Sequence, residues 1–275
     1  MTEFSFETIG GIQWAKLYDG ASGAAPIVVI APAIGIEARY YQGLCEALAA
    51  QGIGAVGIDM PGHGASPIRA GRQHDWGYRG LVDHFEAAVE VLAKLRPDSP
   101  IFLVGHSLGG HVALMLTGQT PSRVRGVVLV ACGVPYWRAW RYPGALVLRV
   151  GSELYRALAL VLGYFPGRRL GFGGRESKTL ILQWAKSAQT GRYDFDGFSG
   201  EELLSRPGPP VLSIGLRSDF FAPEASIRFL LAKLVARAWR YTTWEAPPHG
   251  GDHNRWPTEP KYVIDRVIDF IAETD

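Results

Sequence analysis

Cysteine is scarce: the 275-residue chain has two, Cys45 within a stretch of helical spacing and Cys132 at the end of an apolar run. Two isolated thiols exclude a disulfide framework and a cysteine-based metal cluster. Both are expected to be small buried hydrophobes. No run of about 18 uncharged apolar residues occurs, so no membrane-spanning helix is expected. The opening residues, Met1-Thr2-Glu3-Phe4, carry neither the basic n-region nor the apolar h-region of a signal peptide, and the expected location is cytoplasmic. A dominant charge is missing too: 28 Lys and Arg against 26 Asp and Glu leave +2, which names no partner. What remains is ordinary globular usage, 47% apolar and 20% charged. That excludes disorder for the whole chain and suits one large α/β domain, or one domain with an insertion.

Apolar runs alternate with helical spacing over much of the length. Residues 4–18 read as two strands joined at Gly10-Gly11. Ile27–Ala31, Ala55–Ile58, Ile101–Val104, Val127–Val130 and Val211–Gly215 read as buried strands, and 240–245 as another. Between them 38–51, 81–95, 108–118, 223–237 and 260–272 read as helices. Continuous Val/Ile/Leu strands separated by helices imply a parallel sheet covered on both faces. From Gly133 to about Ser205 the rhythm stops. An aromatic, arginine-rich segment, Tyr136 to Tyr142, is followed by an apolar helical stretch at 145–164. We read residues 134–205 as a helical cap inserted into a core domain of 1–133 and 206–275, since such inserts usually overhang the ligand crevice at the strand ends; the alternative is a second packed subdomain unrelated to the site.

The most informative segment is Gly105-His106-Ser107-Leu108-Gly109, set between the Ile101–Val104 strand and a helix. A bare G-x-S-x-G match is weak, but between strand and helix it describes a nucleophile elbow, with the serine hydroxyl raised above the sheet. Glycines at 105 and 109 permit the crossing of backbones that closes the turn, and Gly110 extends the allowance. A serine hydroxyl needs a base and an acid that orients the base; on such an elbow they follow in the order acid, histidine. Asp219, after the Val211–Gly215 strand, is the expected acid. His249 and His253 share the loop after 240–245, and His253, nearer the last helix, is the expected base, with His249 the alternative. The oxyanion donors are expected to be the N–H groups of Leu108 and Ala33, because Pro32 has none. His106, Ile34, Tyr136 and Trp137 are expected around the substrate.

The elbow around Ser107, the loop Asp59-Met60-Pro61-Gly62-His63-Gly64-Ala65-Ser66, and Asp219 with Ala222-Pro223 resemble the α/β-hydrolase superfamily over essentially the whole chain. The chain is most similar to its serine-aminopeptidase and monoglyceride-lipase branch. Within that branch, Tyr136-Trp137-Arg138 and Gly163-Tyr164-Phe165-Pro166-Gly167-Arg168-Arg169 resemble a group of bacterial predicted hydrolases. The resemblance implies an α/β-hydrolase fold: a mostly parallel eight-stranded sheet, helices on both faces and a helical cap. It also implies a Ser-Asp-His triad, hydrolytic chemistry and no cofactor or metal. Two places depart from the pattern: Ala31-Pro32 stands where many members have His-Gly, and Gly251-Asp252-His253-Asn254 replaces a Gly-His-Phe-Gly-type motif.

The expected reaction is hydrolysis of a carboxylic ester of a small, mostly apolar molecule through an acyl-enzyme. The same groups serve thioesterases, peptidases and acyltransferases, and a scaffold with an idle triad could bind a ligand or act as a lyase. In the 145–164 stretch Arg149, Ser152, Glu153 and Arg156 share one face, with Glu153 in pairing reach of both arginines. The apolar remainder suits packing on the core, an acyl-chain wall or peripheral contact with lipid. Val134–Leu180 carries seven arginines and one lysine against two glutamates, an excess that suits an anionic substrate or acidic surface and equally suits solvated arginines packing on exposed tryptophans. No nucleic-acid motif accompanies it. The oligomeric state is left open.

Overall fold

The computed structural model describes residues 1–274. The chain opens with an antiparallel hairpin, β1 (Thr2–Thr8) and β2 (Gly11–Leu17), whose buried Phe4 and Phe6 face the core. Strand β3 (Ile27–Ala31) leads through a 3-10 turn at Ala38–Tyr41 into helix α1 (Gln42–Ala50) and strand β4 (Gly54–Gly57). Helix α2 (Tyr78–Leu95), strand β5 (Ile101–His106), helix α3 (Leu108–Gln119) and strand β6 (Gly126–Val130) follow. After the inserted segment come β11 (Val211–Leu216), α8 (Glu224–Leu231), β12 (Trp239–Trp244) and α9 (Lys261–Thr274).

The central sheet has six strands in the order β12-β11-β6-β5-β3-β4, and every pairing in it is parallel. Strands β3, β5, β6 and β11 are buried at every residue, as expected when helices cover both faces. The expected count of eight strands is thus corrected to six plus a separate two-stranded hairpin. That hairpin touches the sheet edge through one antiparallel bridge, Tyr18 to Ala55. Strand β4 has only four residues, too short an edge for a longer ladder.

The inserted segment holds helix α4 (Gly144–Leu162), strand β7 (Tyr164–Pro166), helix α5 (Gly167–Leu170), strand β8 (Arg175–Ser177), helix α6 (Lys178–Thr190), strands β9 (Asp194–Phe195) and β10 (Phe198–Ser199), and helix α7 (Gly200–Ser205). Pairs β7–β8 and β9–β10 are antiparallel; strands this short leave no period in the sequence. Helix α7 lies on α3: a Cβ on Gly118 would sit 2.1 Å from the Leu203 carbonyl. Buried Arg237 donates to the carbonyls of Leu203 and Arg206 and to Thr117 Oγ1. Helix α4 buries only Gly144, Ser152 and Ala159 and leaves Leu146, Val147, Val150, Leu154, Leu160 and Val161 exposed. Glu153 pairs with Arg156 at 3.3 Å, whereas Arg149 lies 4.9 Å over the Trp137 ring instead of on Glu153. Among the described residues no helix is long and apolar enough to cross a membrane.

Candidate active site

The strand-to-helix turn has the strained geometry the glycines foretell. Ser107 sits at φ 51, ψ −117, a conformation that costs a non-glycine residue about 1–3 kcal/mol. The crossing leaves no room for side chains beside it: a Cβ on Gly105 would meet Gly110 Cα at 2.4 Å, and one on Gly109 the Ala31 carbonyl at 2.0 Å. Leu108 begins helix α3, so its N–H has no intrahelical acceptor, and the helix dipole adds positive potential at that end.

Asp219 follows β11 with its side chain fully buried and Oδ2 2.8 Å from His253 Nδ1. Its Oδ1 accepts from the N–H groups of Phe221 (2.8 Å) and Ala222 (3.2 Å). With His253 Nδ1–H donating, three donors converge on two oxygens, an arrangement matched to a carboxylate. His253 and Ser107 line the same cavity of about 180 Å³. Among the described residues His253 Nε2 has no partner, and no hydrogen bond joins it to Ser107 Oγ. Such contacts often tighten only when substrate binds. His249 lies elsewhere: at φ 55 it turns its Nε2 to Thr258 Oγ1 (3.1 Å) and Glu259 (3.5 Å), and it does not line the cavity.

The oxyanion loop departs from expectation. The Ala33 N–H donates to the Tyr41 hydroxyl at 3.1 Å and is therefore engaged. Its neighbour Ile34, also in the cavity wall, has an N–H without a partner among the described residues. Tyr41 continues inward. Its oxygen lies 2.7 Å from His106 Nδ1, and His106 Nε2 lies 2.9 Å from the carbonyl of His253. A carbonyl only accepts, so Nε2 carries the proton, Nδ1 accepts, and Tyr41 O–H is the donor. Burial, then the neighbouring His253, push His106 well below the usual imidazole range, which keeps this neutral tautomer.

Of the residues expected around the substrate, Ile34 lines the cavity. His106 is corrected to a buried strut beneath it. Tyr136 packs on Phe229, and the Trp137 ring is met by Arg138 and Arg149, so both are moved off the cavity wall. From the same aromatic segment it is Trp140 that faces the cavity, its indole N–H bonded to the Phe220 carbonyl at 2.8 Å. Tyr155, Phe172 and Trp184 add aromatic wall from the insert. Sequence reasoning missed all four, because only the folded insert turns them inward. It also missed His111, one turn beyond Ser107 on the cavity floor, with Nε2 near the Gly133 carbonyl (3.0 Å) and the Tyr193 hydroxyl (3.1 Å). Burial lowers His111 to about 4, with the Gly133 hydrogen bond opposing.

Residues 23–190, more than half the chain, match the Hydrolase_4 family, serine aminopeptidase S33. The pimeloyl-[acyl-carrier protein] methyl ester esterase of Nitrosomonas europaea is 26% identical over 77% of this chain and 84% of its own. The monoglyceride lipase of Mus musculus is 27% identical over 63% of this chain, which spans about half (52%) of that enzyme. Among solved structures, a carboxyl esterase from Bacillus coagulans superimposes with a TM-score of 0.69 at 18% identity, covering 99% of this chain and 98% of its own. Est1E from Butyrivibrio proteoclasticus does so at 0.68 and 18%, covering 98% of each. With its parallel sheet, its elbow serine and this match, the chain belongs to the serine aminopeptidase S33 family and is a serine hydrolase of the α/β-hydrolase fold.

Proposed function

We propose that the protein cleaves a carboxylic ester of a small, mostly apolar molecule through an acyl-enzyme. Ser107 attacks the ester carbonyl while His253 takes its proton, and Asp219 holds the imidazole tautomer and stabilises the cation that forms. The N–H groups of Leu108 and Ile34 receive the oxyanion; a donor of this kind contributes about 3–4 kcal/mol in the transition state. His253 returns the proton to the leaving alcohol, then activates the water that releases the acid. The observation that carries this reading is the 2.8 Å Asp219–His253 contact, opening on the same cavity as a serine held at positive φ.

Residues 134–205 act in this reading as a lid over a core of 1–133 and 206–275. Trp140, Leu148, Tyr155 and Trp184 give the acyl group an apolar wall, and apolar surface of this kind stabilises a bound chain by about 25 cal/mol per Å². The named esterase and lipase relatives support an ester as the bond cleaved. The test is a fluorophosphonate probe with p-nitrophenyl esters from C2 to C12. Stoichiometric labelling that disappears in Ser107→Ala, together with a chain-length optimum, is the expected result. Folded protein that neither labels nor turns over any ester refutes the proposal.

A further inference from the structure

The wall that carries Ile34 is pinned from outside the catalytic groups. The inserted segment meets the core closely where Gly173 and Gly174 lie on Gly35: a Cβ on Gly35, which is at φ +76, would stand 2.2 Å from Gly174 N. On the far side, Glu176 of β8 accepts the Gly174 N–H on Oε1 at 2.7 Å and faces His63 Nε2 with Oε2 at 3.2 Å. Both side chains are almost wholly buried, at 3% and 4% exposure. His63 is itself anchored. Its loop is stapled by Asp59, whose carboxylate accepts from the N–H groups of Ala38 (2.6 Å) and Ala65 (3.0 Å). A second tether, Arg168 to Glu37 at 3.1 Å, joins the insert to the core just past Ile36.

A buried ion pair seldom adds net stability, because desolvation offsets the attraction. Its geometry is the informative part: each Glu176 oxygen is committed, one to the core and one to the insert. Resting on the reading of the site above, we infer that Glu176 and His63 are positioning residues for the oxyanion donor, clamping Gly173-Gly174 onto Gly35 so that the Ile34 N–H is held over the cavity that Ser107 lines. The charges around His63 agree. Burial opposes its protonation, but the Glu176 carboxylate and then Asp59 outweigh burial and the opposing Arg168, and the net shift is upward.

The experiment compares the full-length wild type with Glu176→Ala, Glu176→Gln and Glu176→Asp. It measures p-nitrophenyl butyrate kinetics and inhibition by an alkyl boronic acid, a tetrahedral mimic that occupies the oxyanion site. Glutamine keeps an acceptor for Gly174 and a polar contact with His63, so kcat stays within about five-fold of wild type. Alanine keeps neither: kcat falls about 30- to 100-fold, KM changes less than three-fold, and the boronate Ki rises by the factor lost in kcat/KM. Should alanine not fold, aspartate carries the test. Its shorter arm reaches one partner only, and an intermediate kcat loss at unchanged KM is expected. Wild-type kcat in folded Glu176→Ala, or in Glu176→Asp, overturns the inference, as does a loss confined to KM with boronate binding unchanged. Absence of labelling and turnover in the wild type strikes instead at the esterase reading, and the inference falls with it.

Discussion

His106 Nε2 donates to the backbone carbonyl of His253 at 2.9 Å, so the residue next to the nucleophile in sequence holds the loop of the proposed base. The same imidazole accepts a hydrogen bond from the Tyr41 hydroxyl, whose oxygen in turn accepts from the Ala33 N–H. The chain of bonds runs from the oxyanion loop to the base without touching substrate. Tyr41→Phe keeps the ring and removes the hydroxyl, leaving one buried donor and one buried acceptor unpaired. A loss of about 1–3 kcal/mol in urea unfolding is expected, with kcat reduced more than KM is raised. Unchanged stability would show that the two orphaned groups find water.

The two loop histidines separate cleanly in a kinetic test. His253→Ala removes the partner of Asp219 and is expected to lower kcat by about 10⁴- to 10⁶-fold. His249→Ala loses contacts to Thr258 and Glu259 outside the cavity and is expected to stay within about three-fold of wild type. Equal losses in p-nitrophenyl ester assays would reverse the assignment.

Gly151 lies inside α4, lines the cavity, and has nothing within 4 Å of where a Cβ would be. Gly151→Ala therefore adds helix propensity without a clash and is expected to stabilise by about 0.5–1 kcal/mol, read from thermal unfolding. Gly151→Phe narrows the cavity, and turnover of C8–C12 esters should fall at least ten-fold more than that of C2. A uniform effect across chain lengths would place the acyl group elsewhere.

Stability should fall in acid for an identifiable reason. His84 is buried, with Nε2 donating to the Asp59 carbonyl at 2.9 Å and Nδ1 facing the Thr8 hydroxyl. Burial lowers it to about 4, as it does His111, and burial, then the neighbouring His253, also lower His106. The unfolded chain takes up protons below about pH 6.5 while these native imidazoles refuse them, so stability declines as pH drops from about 6.5 toward 4, by up to about 3 kcal/mol each for His84 and His111. His63 is shifted upward and works the other way: its contribution is present below the ordinary imidazole value and is lost as pH rises through the folded one. His84→Gln should flatten the acid side of a urea-unfolding pH series; a slope equal to wild type would remove His84 from the account.

What the sequence made legible was whatever is local. The elbow announces itself because Gly105, Ser107 and Gly109 must be neighbours for the backbones to cross. The buried strands announce themselves because continuous Val and Ile have no other use. Contacts between distant positions left no signal. Glu176 and His63 stand 113 residues apart and Tyr41 and His106 65 apart, and neither pair forms a motif. The bond from the Ala33 N–H to Tyr41 was illegible for the same reason, since excluding Pro32 says nothing about a tyrosine hydroxyl arriving from a later turn. Nor does the aromatic run Tyr136 to Tyr142 say which of its rings turns inward: Trp140 lines the cavity, and Tyr136 and Trp137 do not.

Strands β6 and β11 are hydrogen-bonded neighbours, Val130 opposite Ile214, and the last helix before β11 already lies against α3. A strand, a helix and a parallel return strand make a finished connection by themselves. Everything between Pro135 and Phe198 is then an excursion from a joint that would close without it. Exchanging this excursion for another of different size or polarity would alter which molecules gain entry, and would leave the machinery beneath working only if the new segment kept a counterpart of the Gly174–Glu176 contact with Gly35 and His63.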